Sequence, residues 1–265
     1  MSELWQRLRQ RDFHLHTRFS DGAGKPQELL QACRAVGLKR IAVTDHCEYA
    51  HPYSILDRWD EYVHTMRQLQ ADAQKQGIEL LIGIETGVDI HGNLKAPSYV
   101  LEQAELIIAS VHQVNLRPDE SPTSISQEVY WQRYREQILM AAACPQVDVI
   151  GHIEGYLVTD WEQLAADTFE KRRQLEKELV KEIFPLSWYK EVARTAAQNG
   201  VAVELHGLSQ SPRPEVVEVL KAGGVKLSIG SDAHALHHVA YYDYIEALVA
   251  QLHLHANDFA AFVGL

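Results

Sequence analysis

The chain has 265 residues, a length that suits one large domain and is typical of a single α/β barrel. Its 46% hydrophobic and 23% charged residues are normal for a globular domain, which excludes a disordered chain. The formal net charge of -11 excludes a large basic surface for long nucleic acids, but a small anion could still bind where metal ions line its site.

In chain order, apolar runs that predict strands alternate with stretches of helical periodicity. The predicted elements are a strand at 12–17, helix 26–36, strand 41–46, helix 58–76, strand 79–88, helix 97–103, strand 105–112, helix 126–143, strand 147–152, helices 161–182 and 187–199, strand 201–207, helix 214–222, strand 226–232 and helix 242–253. Pro26 suits a first helical turn, Ser187 suits an N-cap, and Gly37 and Gly77 are predicted helix stops.

This alternation predicts parallel strands joined by right-handed crossovers, within one α/β domain that spans residues 1–265. Strands that are apolar throughout fit a sheet covered on both faces. A closed barrel and an open doubly wound sheet both satisfy the pattern. No GxGxxG motif follows the first strand, so a dinucleotide site is not predicted.

Neither export nor membrane insertion is predicted. The N-terminal residues MSELWQRLRQRD lack the apolar segment of a signal peptide, and no apolar run approaches about 18 residues. The three cysteines, Cys33, Cys47 and Cys144, are widely spaced, so neither a disulfide framework nor a cysteine zinc site is expected. We therefore expect a cytoplasmic protein with free thiols.

The predicted strands carry side chains that can bind metal ions at or near their C-terminal ends. These side chains are His14, His16, Asp45, His46, Glu85, His112, His152, Glu204, His206, Asp232 and, just beyond the last strand, His234. In a parallel barrel these strand ends converge on the face that holds the active site. His14 and His16 are two residues apart and so point to the same face of their strand. A lone buried histidine is usually a hydrogen-bonded core residue, but a set repeated from strand to strand indicates a metal centre.

Some polar residues have a second interpretation. Asp21 in the turn FSDG is by itself best explained as a turn residue. Asp45 is either a ligand or the partner of a ligating imidazole, and Glu204 is either a ligand or a hydrogen-bond acceptor. The other histidines are expected at the surface, with His51 and His237 closest in sequence to site strands. This group comprises His51, His64, His91, His237, His238, His253 and His255.

Six motifs resemble, in their order, those of the polymerase and histidinol phosphatase (PHP) superfamily. They are HLHTRFSDG (14–22), TDH (44–46), GIETG (83–87), SVH (110–112), GH (151–152) and GSDAH (230–234). The resemblance covers nearly the whole chain and implies a distorted, TIM-like (β/α)7 barrel with two or three divalent transition-metal ions, zinc, manganese or iron. The pattern is most similar to the stand-alone histidinol phosphatase branch, which often has an asparagine where this chain has His206.

The resemblance also implies roles for individual residues. One ion would be held by His14, His16, Glu85 and Asp232, a second by Glu85, His112 and His152, and a third by Asp21, His46 and His234. Glu85, Asp232 and His234 are the predicted catalytic residues. The candidate substrate-binding residues are Arg18, His206 and Arg213, whose arginines could bind phosphate through two hydrogen bonds.

Together these assignments predict a metal-dependent phosphatase that hydrolyses a small phosphomonoester, histidinol phosphate or a similar compound, with water activated by the ions. One alternative is a phosphodiesterase or short-oligonucleotide nuclease that uses the same site. Another is a metal-binding regulatory domain without turnover. In that case the charged stretch 171–181 is the candidate partner surface, although such a run also fits a solvated helix face. No long nucleic acid and no membrane is expected as a partner, and the sequence predicts no oligomeric state.

Overall fold

In a computed structural model, the protein is described over residues 2–121, 124–157 and 166–265. Seven parallel strands form one sheet in which each strand pairs with the next along the chain. The strands are β1 (Arg11–Asp12), β2 (Arg40–Val43), β3 (Glu79–Thr86), β4 (Leu106–Ala109), β5 (Val149–Ile150), β6 (Ala202–His206) and β7 (Leu227–Gly230). This order is that of successive right-handed β–α–β units.

Helices connect the strands and cover the outside of the sheet. In the described ranges the α-helices are α1 (Glu3–Leu8), α2 (Pro26–Ala35), α3 (Trp59–Lys75), α4 (Ser98–Leu101), α5 (Gln127–Ala143), α6 (Phe169–Ile183), α7 (Leu186–Asn199), α8 (Pro214–Ala222) and α9 (Asp243–Gln251). Short 3-10 helices lie at Leu56–Arg58, Leu236–His238, Ala256–Asp258 and Ala261–Val263. None of these helices is both long enough and apolar enough to cross a membrane.

The sheet closes through contacts between its first and last strands, which decides between the two architectures that the sequence allows. The Phe13 N–H donates to the Ile229 carbonyl at 3.2 Å, and the Asp232 N–H donates to the His14 carbonyl at 2.8 Å. Leu15 and Ala233 form an isolated parallel bridge. The predicted distorted (β/α)7 barrel is confirmed, and an open doubly wound sheet is excluded.

Several predicted boundaries are confirmed by the helix ends. Pro26 is the first residue of α2, and Gly37 and Gly77 follow the ends of α2 and α3 with φ of 85° and 72°. The predicted N-cap at Ser187 is wrong, because α7 begins at Leu186 and its N-cap is Pro185. The predicted helix 161–182 begins only at Phe169 within the described part, and residues 161–165 of that prediction lie outside the described residues.

All seven strands are shorter than predicted, and the shortest are β1 and β5, with two residues each. Beside β1, the Ser231 N–H donates to the Asp12 carboxylate at 2.9 Å rather than to a carbonyl. Beside β5, the Ile107 N–H donates to the Asp148 carboxylate at 2.8 Å. At the other end of β5, His152 has a φ of 23°, which takes it out of the strand conformation. The backbone therefore becomes irregular close to where the predicted site residues lie.

The core has two apolar layers. Alternate residues of β2 and β4 belong to different clusters, since Ile41 and Ile107 lie in a cluster with residues of α2, α3, α5 and α7, whereas Ala42 and Ile108 lie in another. The second cluster joins Ala42 and Ile108 to residues of α1 and α9 and to the C-terminal residues. The three cysteines are free, as predicted, and two of them are buried.

Candidate metal centre and substrate pocket

The nine predicted metal ligands lie together at the C-terminal ends of the strands. His14, His16, Glu85 and Asp232 are each at most 3% exposed. In the described residues, five groups have ligand atoms within 4.8 Å of one another, and three of them consist of predicted ligands alone: His16, Asp21, His46 and His234; His14, His16 and Glu85; and Glu85, His112 and His152. The other two are His46, His51 and His112, and His14, Glu204 and His206. The structure thus brings together residues from six of the seven strand ends, although their ligation of metal stays a prediction.

Glu85 is at the centre of this group. Its Oε1 lies 3.0 to 3.3 Å from the Nε2 atoms of His152, His112 and His14. Its Oε2 lies 3.0 Å from His46 Nδ1 and 3.5 Å from His16 Nε2. One carboxylate therefore faces the imidazoles of all three predicted sites, as a bridging ligand must.

Two aspartates complete the set. Asp232 Oδ1 lies 3.0 Å from His16 Nε2. Asp21 Oδ1 lies 3.2 Å from His234 Nε2, and Asp21 Oδ2 lies 3.4 Å from His46 Nε2. Asp21 is therefore more than the turn residue that its local sequence alone indicates.

The donor atoms of this cluster fit divalent ions. In the described residues, eight buried atoms of the nine predicted ligands have no hydrogen-bond partner: His14 Nε2, His16 Nε2, Asp21 Oδ1, His46 Nδ1, Glu85 Oε2, His112 Nε2, His152 Nδ1 and Asp232 Oδ1. Buried polar atoms are normally paired, because leaving one without a partner costs about 1–3 kcal/mol. Imidazole nitrogens mixed with carboxylate oxygens are the ligands of zinc, manganese or iron rather than of calcium.

The pKa values of the residues in this cluster reflect the short distances between its carboxylates and imidazoles. Burial opposes the charged form of Glu85, but His112 and His14 hold its pKa well below the usual range. Burial also opposes the charged form of His112, yet Glu85 and Glu48 outweigh it and raise the His112 pKa to about 10. In the absence of metal, protons on His14, His46, His112 and His234, whose pKa values are raised, therefore balance the carboxylates.

Further carboxylates contact the imidazoles of predicted ligands on the nitrogen that faces away from Glu85. Glu204 lies 2.8 Å from His14 Nδ1 and also accepts the His152 N–H at 2.9 Å. Glu48 lies 2.7 Å from His112 Nδ1 and accepts the Gly87 N–H at 3.0 Å. A carboxylate on Nδ1 fixes the tautomer and leaves the Nε2 lone pair for a metal ion. Of the two interpretations of Glu204, the structure favours the hydrogen-bond acceptor.

Asp45 takes neither of the two roles considered for it. Its Oδ1 accepts the N–H of Thr17 at 2.8 Å and that of Ser20 at 3.3 Å, and its Oδ2 accepts the Thr17 hydroxyl at 2.8 Å. Asp45 therefore holds the backbone that connects His16 to Asp21, rather than an imidazole or an ion.

The backbone at the end of β7 is constrained by neighbouring residues of the site. A Cβ atom at Gly230 would lie 2.1 Å from Glu204 Oε1 and 2.5 Å from the Cβ of His14, so only glycine fits beside this pair. Asp232 follows with a φ of 56°, a conformation that costs a non-glycine residue about 1–3 kcal/mol. Such strain persists where surrounding contacts hold it, and it marks Asp232 as functionally constrained.

A cavity of about 560 Å³ opens above the metal-binding face. Predicted ligands form part of its lining, among them His46, Glu85, His112 and Asp232. The rest of the lining is a different set of residues: His51, Val111, Tyr156, Phe169, Glu170, Arg173, Leu208, His238 and Tyr241. A concave site with mostly apolar walls and a few polar groups is typical of small-molecule binding.

The structure does not support the three predicted substrate-binding residues. Arg213 pairs with Glu154 at 2.8 Å and Glu215 at 3.2 Å, so its charge is already neutralised. His206 is 0% exposed and lies behind Asp232 rather than in the cavity. Arg18 is exposed but is not among the residues that line the cavity.

Among the described lining residues, Arg173 is the only arginine or lysine. Its Nη1 donates to the Leu208 carbonyl at 3.0 Å, and its guanidinium lies 5.6 Å from the centre of the Phe169 ring. It belongs to the stretch 171–181 that the sequence offered only as a partner surface or a solvated face. Neither strand-end position nor a motif marks it, and only the placement of α6 beside the cavity identifies it.

Comparison with known proteins is consistent with this geometry. A family model described as PHP domain matches residues 12–206. The chain is 26% identical over 233 residues to a probable phosphatase of Thermoanaerobacter sp. strain X514, a match that covers 84% of this chain and 78% of that protein. It is also 26% identical over 148 residues to the DNA polymerase/3'-5' exonuclease PolX of Bacillus subtilis strain 168, but the match covers 56% of this chain and only 24% of PolX.

Among solved structures, a histidinol phosphate phosphatase of Lactococcus lactis subsp. lactis Il1403 is similar in fold. That protein was solved in complex with zinc, L-histidinol and phosphate. The two chains have a TM-score of 0.67 at 21% sequence identity, over 93% of this chain and 95% of the other. At this identity the likeness supports the barrel fold alone.

Proposed function

The chain belongs to the PHP domain family, and from that premise we propose that it is a metal-dependent phosphatase acting on a small phosphomonoester. The observation that carries the proposal is the set of buried, unpaired nitrogen and oxygen atoms around Glu85, at the floor of a cavity of about 560 Å³. Relatives named as probable phosphatases match most of the chain, which supports the same activity.

The ligand set suits a phosphate dianion although the protein is acidic. Two or three divalent ions would be held by His14, His16, Asp21, His46, Glu85, His112, His152, Asp232 and His234. When bound, such ions lower the pKa of water from 15.7 to about 7 and offset the negative charge that develops on phosphorus. With three ions, the charge of +6 would exceed that of the three carboxylates, leaving the site positive for the substrate.

Two further side chains that line the cavity are placed to contact the substrate. The Arg173 guanidinium borders the cavity and could donate to phosphoryl oxygens through two N–H groups. The Tyr53 N–H donates to His51 Nδ1 at 3.3 Å, so a neutral His51 carries its proton on Nε2. That N–H is available to an oxygen of the substrate, and His51, considered at the sequence level a surface residue, lines the cavity instead.

The size of the cavity and its walls indicate a substrate with an organic half of appreciable size. Tyr156, Phe169, Leu208 and Tyr241 form an apolar wall beside Arg173. Histidinol phosphate, whose imidazole ring could lie against this wall, fits these properties. We propose it, or a phosphomonoester of similar size with a flat ring, as the substrate.

Replacing Arg173 with alanine should weaken substrate binding. We expect KM for p-nitrophenyl phosphate to rise about 10- to 100-fold, since a charged hydrogen bond contributes about 1.5–3 kcal/mol. The metal content should be unchanged, because the contacts of Arg173 are with Leu208 and Phe169 rather than with a predicted ligand. Steady-state kinetics and metal analysis of the purified variant measure both quantities.

Arg18→Ala is the matched control, since Arg18 is exposed and outside the cavity lining. Its KM should equal that of the unmodified protein. If KM rises in Arg18→Ala and stays constant in Arg173→Ala, the assignment of the phosphate contact is wrong and the sequence-based prediction is restored.

A further inference from the structure

His206 lies at the edge of the metal cluster but differs from the predicted ligands in its hydrogen bonds. The Ser209 backbone N–H donates to His206 Nδ1 at 3.0 Å. The Ser209 hydroxyl also lies 2.8 Å from Nδ1. On the other side of the ring, His206 Nε2 lies 3.2 Å from Asp232 Oδ2. The side chain is 0% exposed, so no substrate can reach it.

The contact with Ser209 determines the tautomer of His206. A backbone N–H can only donate, so Nδ1 must present its lone pair and cannot carry a proton. The ring proton is therefore on Nε2, and this nitrogen has no lone pair in the ring plane to offer a metal ion. If Nδ1 carried the proton instead, two N–H groups would face each other at 3.0 Å.

Three of the six predicted histidine ligands show the opposite arrangement. His14 and His112 have a carboxylate on Nδ1, and His234 Nδ1 lies 3.0 Å from the Asp232 carbonyl. An acceptor on Nδ1 places the ring proton there and leaves the Nε2 lone pair free. His206 also lies close to His14 and Glu204, but those two are already bonded to each other at 2.8 Å. That group therefore does not form a further ion site.

The two oxygens of Asp232 have different surroundings. Oδ1 lies 3.0 Å from His16 Nε2, belongs to the predicted metal cluster and has no hydrogen-bond partner. Oδ2 lies 3.2 Å from His206 Nε2, a buried nitrogen for which the structure gives no hydrogen-bond partner. Asp232 sits in a strained backbone conformation with a φ of 56° and needs contacts that hold it.

We propose that His206 is a positioning residue whose Nε2–H holds Asp232 Oδ2, so that Asp232 offers Oδ1 alone to the metal ion. The Ser209 N–H determines this role, because it can donate only to the ring tautomer that has its lone pair on Nδ1. His206 thus acts through Asp232 and contacts neither metal nor substrate. The inference rests on the metal binding of the proposed function but not on its turnover.

Two substitutions test the roles of the two ring nitrogens of His206 separately. In His206→Gln, the side-chain amide can place an N–H near the position of Nε2. In His206→Asn, the amide oxygen can still accept from Ser209, but the side chain is too short to reach Asp232. Zinc affinity of each metal-free variant is measured by competition with a chromophoric chelator, without substrate, and circular dichroism checks folding. His64→Gln is the control, because His64 is an exposed residue of α3.

We expect His206→Asn to lose about 10- to 100-fold in zinc affinity, the usual cost of removing a group that orients a ligand. His206→Gln should stay within the spread of the His64→Gln control. If both variants lose affinity and X-ray absorption shows one nitrogen fewer around zinc, His206 is a ligand and the proposal fails. It also fails if His206→Asn keeps its zinc affinity, since the contact with Asp232, which asparagine cannot make, would then not be needed for metal binding. An inactive protein that still shows the expected pattern would contradict the phosphatase proposal but not this one.

Discussion

Replacing Glu85 with glutamine is expected to reduce phosphatase activity by about 10³-fold, the upper end of what the loss of one electrostatic group costs. The Glu85 carboxylate lies within 3.5 Å of five imidazole nitrogens and is the only predicted ligand that faces all three groups. Glutamine keeps the size but removes the charge, and its amide donates hydrogen bonds where cations should lie. Initial rates with p-nitrophenyl phosphate and metal analysis of the same sample measure the effect.

Glu79→Gln is the matched control, since Glu79 begins the same strand but is exposed and pairs with Arg40 at 3.2 Å. Its activity and metal content should be those of the unmodified protein. Glu85→Gln that keeps full turnover and full metal content would show that Glu85 does not bridge the ions.

Adding zinc or manganese to the metal-free protein should raise its melting temperature by about 8–16 °C. Metal at about 1,000 times its dissociation constant stabilises the folded state by about 4.1 kcal/mol, and each kcal/mol shifts the melting point of a domain of this size by about 2–4 °C. The physical reason is that the ion pairs with buried atoms that otherwise lack partners. Scanning fluorimetry with and without metal measures the shift.

The size of this shift should depend on pH in a defined direction. In the metal-free protein burial opposes protonation, but neighbouring carboxylates raise the pKa of His46 and His234 to about 9 and that of His112 to about 10. These values exceed the unfolded value of about 6.5, so the protonated pairs stabilise the metal-free fold most below pH 6.5 and lose that effect as pH rises through about 9. Protons also compete with metal, so the shift should be larger at pH 8 than at pH 6.

His14→Ala should show a much smaller shift, whereas His253→Ala, an exposed variant outside the cluster, should match the unmodified protein. A melting temperature that millimolar metal leaves unchanged in the unmodified protein would contradict the metal centre.

The grouping of the predicted metal ligands can largely be inferred from the sequence, because position along a parallel strand determines position in space. His14 and His16 point to one face of their strand, and Glu85 and Asp232 follow from the shared end of the barrel. Asp21 needed the family resemblance, since a turn aspartate has no periodicity that relates it to a strand. The closure of the barrel was also open, because alternation alone does not show whether the first and last strands pair.

Residues outside the strand ends could not be assigned in this way. Arg213 follows a site strand as Arg18 does, but a buried partner, Glu154, takes its charge, and a sequence does not show that contact. Arg173 reaches the cavity from α6, far from any strand end. The roles of Asp45 and Glu48 likewise depend on which backbone N–H or imidazole lies beside each carboxylate. Charge is visible in a sequence, whereas the partner that neutralises it appears only after folding.

Hydrolysis of a phosphomonoester with metal bound at this cluster can be measured in one assay. Release of p-nitrophenol from p-nitrophenyl phosphate and from bis-p-nitrophenyl phosphate is measured for the purified protein, after chelation, and after zinc or manganese is restored. We expect activity on the monoester to exceed that on the diester, to disappear on chelation and to return with metal. A higher rate on the diester would favour the phosphodiesterase or nuclease alternative, and turnover that survives chelation would contradict the metal mechanism.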